Sequence, residues 1–281
     1  MSRWRYLKDR IFVGAVLLTS ILTLAPLFHM IATIVVNGAQ VLAIYGLRFF
    51  TETPPPPISG AGGGIAPALV GSILVTLLSL PLSVSLALLA AILSTEFPRN
   101  PISRLADTFS RSFASIPTII VSMVVYTVVV VPMGSFSALA GAVALSLISL
   151  PYAYTAFSTA LRSIPHTYRE AAYAVGMNRL QTVARVFIPI VKRAVVVGIL
   201  ITFARAMGET AALLFTAGRY RAGVSLDIRA ATDAVPLMIF DFITTPFKVY
   251  HEIAWGATLV LLLIYLAIFI AVKTAVREVR L

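Results

Sequence analysis

Six stretches of this chain are too apolar and too long to belong anywhere but in a membrane. Residues 12–36, 65–93, 113–131, 138–160, 194–216 and 253–272 each supply about the 20 largely uncharged residues that an α-helix needs to cross a hydrocarbon core of roughly 30 Å. Inside that core each segment must satisfy its own backbone N–H and C=O groups. The expected fold class is therefore an all-α integral membrane protein with six transmembrane helices, read as one domain over 1–281. Composition agrees, since 59% of the residues are hydrophobic and 12% charged, more apolar than a soluble core of 281 residues could hide. The first stretch exceeds the apolar core of a cleaved signal peptide and lacks a small-residue cleavage site, so it is read as a retained helix.

The charges decide the orientation. With an even number of spans both termini share a side, and that side, with loops 94–112 and 161–193, holds 16 lysines and arginines. The opposite side, loops 37–64, 132–137 and 217–252, holds five, while acidic residues divide evenly. The positive-inside rule then places both termini and the long basic loop in the cytoplasm of a multi-pass cell-membrane protein. The net charge of +11 is thus a topology signal and an attraction to anionic lipid headgroups, and nucleic acid is not an expected partner.

Several chemistries fall away. With no cysteine there is no disulfide, thiolate metal site or cysteine nucleophile, and His29, His166 and His251 are too scattered to suggest a metal centre. No GxxxxGK[ST] phosphate loop is present, so no catalytic residue, metal or cofactor is assigned to this chain. The outer loop "TETPPPPISGAGGG" reads as an extended proline spacer released by glycines. In the last outer loop "VPLMIFDFITTPF" is too short to span and is expected at the interface or dipping part-way in.

The cytoplasmic loop 161–193 has an internal design. Pro165 suits a helix start, 166–175 is helix-forming, Gly176 lets the chain turn out, and a second helical run, 178–188, is expected to stop at Pro189. The outcome is a short helix outside the bilayer, with Arg169 and Glu170 expected outward and Ala171 and Ala172 permitting close approach. On composition alone it is also an ordinary amphipathic helix resting on headgroups. The pattern Glu170-Ala171-Ala172, three residues, Gly176, nine residues, then Val186-Phe187-Ile188-Pro189 resembles the EAA loop of binding-protein-dependent ABC importer permeases. That resemblance implies a coupling helix seated on a separate ATPase subunit, with Arg169, Glu170, Ala171 and Ala172 at the contact and Gly176 in the turn.

Arg205 and Glu209 stand four residues apart in the fifth apolar stretch. Each charge at a helix centre costs roughly 2.5–3.5 kcal/mol on insertion scales, so they are not expected to face lipid. Read as one helix, the segment carries a stripe of Gly198, Thr202, Arg205, Glu209, Ala212 and Thr216, all small or polar, and a separate face of Val196, Leu200, Phe203, Met207 and Leu214 with Ala211 its only small member. Two readings of the stripe stand: a close helix–helix seam with a structural ion pair, or the wall of an aqueous path in which the guanidinium fork binds an oxyanion. Monohydrogen phosphate adds a proton donor that Glu209 can accept, which sulfate at neutral pH lacks. The substrate-path candidates are Arg205, Glu209, Thr202 and Thr210.

"ARAMGETAALLFTAG", "FFTETPPPPISGAGGGIAPALVGS", "IPTIIVSMVVY" and "LPYAYTAFSTALRSIPHTYREAA" are similar to the corresponding segments of phosphate-importer permeases of the PstA type, so the resemblance runs from Phe49 to Gly218. It implies a type I ABC importer permease architecture and transport of inorganic phosphate. The implied partners are a second, PstC-like permease subunit, an ATPase dimer carrying the ATP and Mg, and an extracytoplasmic phosphate-binding protein. The alternatives are a permease for molybdate or sulfate, or a secondary transporter acting without an ATPase.

Overall fold

A computed structural model describes residues 3–57 and 62–277, and its described residues form helices and connecting loops without a strand. The first helix, α1 (Arg3–Tyr45), overruns the expected 12–36 at both ends and runs through Pro26; at 1.5 Å per residue it is roughly 65 Å long. A short α2 (Arg48–Thr51) follows. The proline loop then corrects its reading as an extended spacer. The N–H groups of Gly64, Ile65 and Ala66 donate to the carbonyls of Thr53, Phe49 and Glu52, so the chain folds back onto α2. Tyr250 Oη pins Pro55 at 3.1 Å; residues 58–61 of the motif lie outside the described residues.

α3 (Ala66–Glu96) is the second span and carries Pro67 in its first turn. α4 (Pro101–Phe113), capped by the Asn100 side chain, is an amphipathic helix within the basic loop 94–112. It bends by 113° into the third span, built from α5 (Thr118–Val125), a π turn at Tyr126–Val130 and α6 (Val131–Met133). The start of that span lies at 118 rather than 113 because Pro117 directs the chain out of α4. α7 (Ala138–Arg162) is the fourth span, with Ser137 Oγ accepting from the N–H of Ala140. α8 (His166–Ala174) and α9 (Arg179–Thr182) are the helices of the 161–193 loop, and a π turn at Val183–Phe187 leads into α10 (Ile188–Met207). After α11 (Ala211–Leu214) the segment before the last span forms the nine-residue α12 (Val235–Ile243), too short to cross, and α13 (Lys248–Arg277) closes the series. Among the described residues five helices are long and apolar enough to cross a membrane, and counting the bent α4–α6 pair as one span makes six.

Pro189 does not end a helix, contrary to expectation. A proline cannot bond the carbonyl four residues back and its ring collides with it. Here the N–H of Ile188 reaches instead to the carbonyl of Val183, five residues back, and this wider turn carries the helix past Pro189. The same device precedes Pro132, where the N–H of Val131 bonds the carbonyl of Tyr126.

α3 and α7 are the spine. Ser72, Thr76, Ser79, Ser83, Ala87 and Ala91 recur at steps of three and four along α3, all buried, and present a narrow face that lets α7 approach closely. α7 is buried along most of its length, whereas the apolar side chains of α1 between Ile11 and Phe28 stay open, as a lipid-facing surface does. α13 packs against α1 at Gly38, where Leu259 and the carbonyl of Trp255 leave no room for a Cβ. It holds α12 through Tyr250 stacked on Phe242 at 4.2 Å.

Candidate translocation site and coupling surface

Arg205 sits in the last turn of α10, where the unsatisfied carbonyls of a helix C-terminus favour a cation. The expected continuous helix over 194–216 is broken: α10 stops at Met207, and Gly208, Glu209 and Thr210 form the gap before α11. Across that gap Arg205 Nη1 and Glu209 Oε2 lie 2.7 Å apart, with the arginine side chain 34% exposed and the carboxylate 6%. The ring of Tyr152, from α7, faces the guanidinium at 5.3 Å, a cation–π contact that fixes the third side of the group. Gly208 is a matter of space: the hydroxyl of Tyr265 from α13 fills the position of a Cβ.

The expected single stripe is divided by the same break. Gly198 lies against Phe157 and Ala156 of α7, and Thr202 is fully buried with its hydroxyl donating to the carbonyl of Gly198 at 2.7 Å, so this part is a packed seam. Ala212 and Thr216 are buried as well. Arg205 remains half-open. A mainly apolar groove of about 1080 Å³ between α7 and α10 borders Gly198, Val197 and Ile201 on one side and Tyr152, Thr155 and Thr159 on the other, so Tyr152 joins it to Arg205. Thr210 lies elsewhere, in a groove of about 450 Å³ with Leu214, Pro236 and Phe240.

In the 161–193 loop α8 runs from Pro165 to a left-handed turn at Gly176, whose φ of +83° suits glycine. Asn178 and Gln181 then form a capping box that starts α9. Glu170 is exposed, 3.1 Å from His166 Nδ1; Ala171 is exposed and Ala172 buried. Arg169 corrects its expected outward direction: it turns inward to Glu96, Nη2 to Oε1 at 2.8 Å, with its guanidinium 5.0 Å from the Phe187 ring. A carboxylate buried at the end of α3 requires that partner.

Residues 83–281 match the protein family described as the binding-protein-dependent transport system inner membrane component. The chain belongs to that family. This permease is 39% identical over 274 residues, 98% of its length and 95% of the other's, to the probable phosphate transport system permease protein PstA of Methanocaldococcus jannaschii. It is 32% identical over 271 residues, 96% and 90% of the two chains, to the phosphate transport system permease protein PstA of Yersinia pestis. Among solved structures, an inward-facing MetNI methionine ABC transporter superposes with a TM-score of 0.59 at 18% identity, covering 78% of this chain and 95% of that one. An amino acid ABC transporter with histidines gives 0.55 at 16%, covering 75% and 92%. These place the permease in the type I importer fold.

The permease also carries an ion-pair clamp in the 217–241 segment that sequence reasoning missed, because its members are spread over more than 20 residues and each reads only as loop charge. Arg221 Nε lies 2.5 Å from Asp233 Oδ2 and its Nη2 2.7 Å from Asp241 Oδ2, while Arg219 Nε reaches the same Asp241 oxygen at 2.7 Å. Asp233 is fully buried, and burial raises its pKa above the usual carboxylate value against the pull of Arg221. Burial lowers the pKa of Arg221, but its bonds to Asp233 and Asp241 more than offset this and leave it raised.

Proposed function

We propose that this chain is the permease subunit of an ATP-binding-cassette importer that passes inorganic phosphate into the cytoplasm, with both termini and α8 on the cytoplasmic side. The observation that carries the reading is the Arg205–Glu209 pair at the break between α10 and α11, half-open beside the α7–α10 groove. Non-helical backbone at membrane depth is tolerated only where it is buried in protein or lines a water-filled cavity, which is what residues 208–210 need. The guanidinium offers a planar fork to the phosphate oxygens, and the Glu209 carboxylate accepts a hydrogen bond from the P–OH group of monohydrogen phosphate. The named PstA relatives support phosphate as the anion.

The work is divided among subunits. A second, PstC-like permease completes the path, an extracytoplasmic phosphate-binding protein delivers the anion, and a dimeric ATPase holding ATP and Mg docks on α8 around Glu170. This chain contributes the path and no covalent step. ATPase closure displaces α8 and rocks the spans, so that Arg205 meets the outside and the inside in turn. The test is ATP-driven uptake of labelled phosphate by proteoliposomes of the assembled importer with excess molybdate or sulfate. Uptake resisting both competitors is expected; uptake of molybdate or sulfate in preference to phosphate overturns the assignment, and uptake without the ATPase overturns the importer mechanism.

A further inference from the structure

Glu96 is the last residue of α3 and its side chain is only 3% exposed. A carboxylate there faces the negative end of the helix dipole, the wrong place for an anion unless cations are brought to it. Two are. Arg169 of α8 pairs with the carboxylate at 2.8 Å, and Arg179 of α9 donates from Nη1 to the Glu96 carbonyl at 3.3 Å while its guanidinium lies 5.2 Å from the Phe97 ring. The two arginines flank Gly176, whose left-handed turn folds α9 back so that both converge on one helix end. Of the nine residues of α8, Ala172 alone is buried, so the attachment of α8 to the spans runs largely through Arg169.

The other end of α3 is fastened just as closely. Ser72 Oγ accepts from the N–H of Val235 at 2.8 Å, and Gly71 meets the carbonyl of Asp233 with no space for a Cβ. Asp233 is the residue gripped by Arg221, which also holds Asp241 on α12. α3 is therefore one continuous helix of 31 residues, roughly 46 Å, with Pro81 near its middle, tied at its cytoplasmic end to α8 and at its outer end to the loop before α12.

We propose that Glu96 is a positioning residue that binds α8 to α3, so that displacement of α8 is delivered to the outer segment around Asp233 and α12 instead of being lost in the turn at Gly176. This rests on the reading of α8 as the element on which the ATPase docks. Glu96 touches no substrate; it acts through Arg169.

Two measurements on the assembled importer test it. In proteoliposomes, Glu96→Gln is expected to keep the ATPase subunit bound and hydrolysis running while phosphate taken up per ATP falls at least ten-fold; an unchanged ratio overturns the proposal. Because the chain has no cysteine, spin labels can be placed at Tyr173→Cys on α8 and Arg99→Cys beyond α3 in the otherwise unaltered chain. Their separation is expected to stay constant between nucleotide-free and ATP-bound states, and a change of about one helical turn, roughly 5 Å, overturns the proposal even if Glu96→Gln fails to assemble. If instead Glu170→Lys leaves the ATPase bound and coupled, the docking reading fails, a result distinct from either of these.

Discussion

The hydroxyl of Tyr265 on α13 occupies the space where residue 208 would carry a Cβ, so the last span and the break in the fifth are fitted to each other. Gly208→Ala forces Tyr265 or the break to move, at about 1–3 kcal/mol for an overpacked site. Tyr265→Phe by itself is mild, and the double variant Gly208→Ala/Tyr265→Phe should recover most of the loss. Thermal unfolding of the purified complex, read beside phosphate uptake, checks this; a Gly208→Ala variant indistinguishable from the parent would show that the contact is slack.

Arg205→Gln removes the charge and the fork while keeping length and polarity. A hydrogen bond to a charged group contributes about 1.5–3 kcal/mol, so uptake should drop by about ten- to a hundred-fold, with the subunits still assembled. Arg205→Lys should recover only part, because an ammonium cannot present two parallel donors. Size-exclusion of the complex and labelled-phosphate uptake separate the outcomes: disassembly would assign the pair a structural role.

Glu170 is exposed and paired only with the equally exposed His166, so Glu170→Lys should change stability by no more than about 0.5 kcal/mol. Its effect belongs to docking. The variant should lose co-purifying ATPase and ATP-dependent uptake while still capturing the phosphate-binding protein. Full retention of the ATPase would remove Glu170 from that interface.

Two arginines share Asp241, and their removal should differ sharply. Arg219 is 46% exposed, and Arg219→Ala should cost about 0.2–1 kcal/mol. Arg221→Ala leaves Asp233 buried and uncompensated, a loss of about 3–5 kcal/mol. Limited proteolysis of the loop 217–234 checks the order; equal cleavage in the two variants would contradict it.

Much of the architecture was legible in the chain because a bilayer imposes lengths that sequence cannot disguise: α3, α7 and α13 begin within a few residues of the expected spans. α8 was legible because Pro165 and Gly176 mark both of its ends. Three features were not. The wider turn before Pro189 is a matter of hydrogen-bond register, which no residue type announces. The break at Gly208 was masked by apolar residues continuing on either side, although Gly208 followed by Glu209 and Thr210 is a helix stop beside a helix start. Arg169 was read outward because its partner, Glu96, lies 73 residues away in the chain and meets it only after folding.

The central claim is that the break at Gly208–Thr210, with Arg205 beside it, meets water and phosphate during turnover. Thr155→Cys, in the α7–α10 groove that Tyr152 joins to Arg205, supplies the chain's single thiol, to be probed in proteoliposomes with a membrane-impermeant thiol reagent from each side, with and without ATP and phosphate. Labelling that depends on side and nucleotide, and that phosphate but not sulfate suppresses, is the predicted result. A thiol unreactive from both sides in every state, or one indifferent to phosphate, contradicts the account.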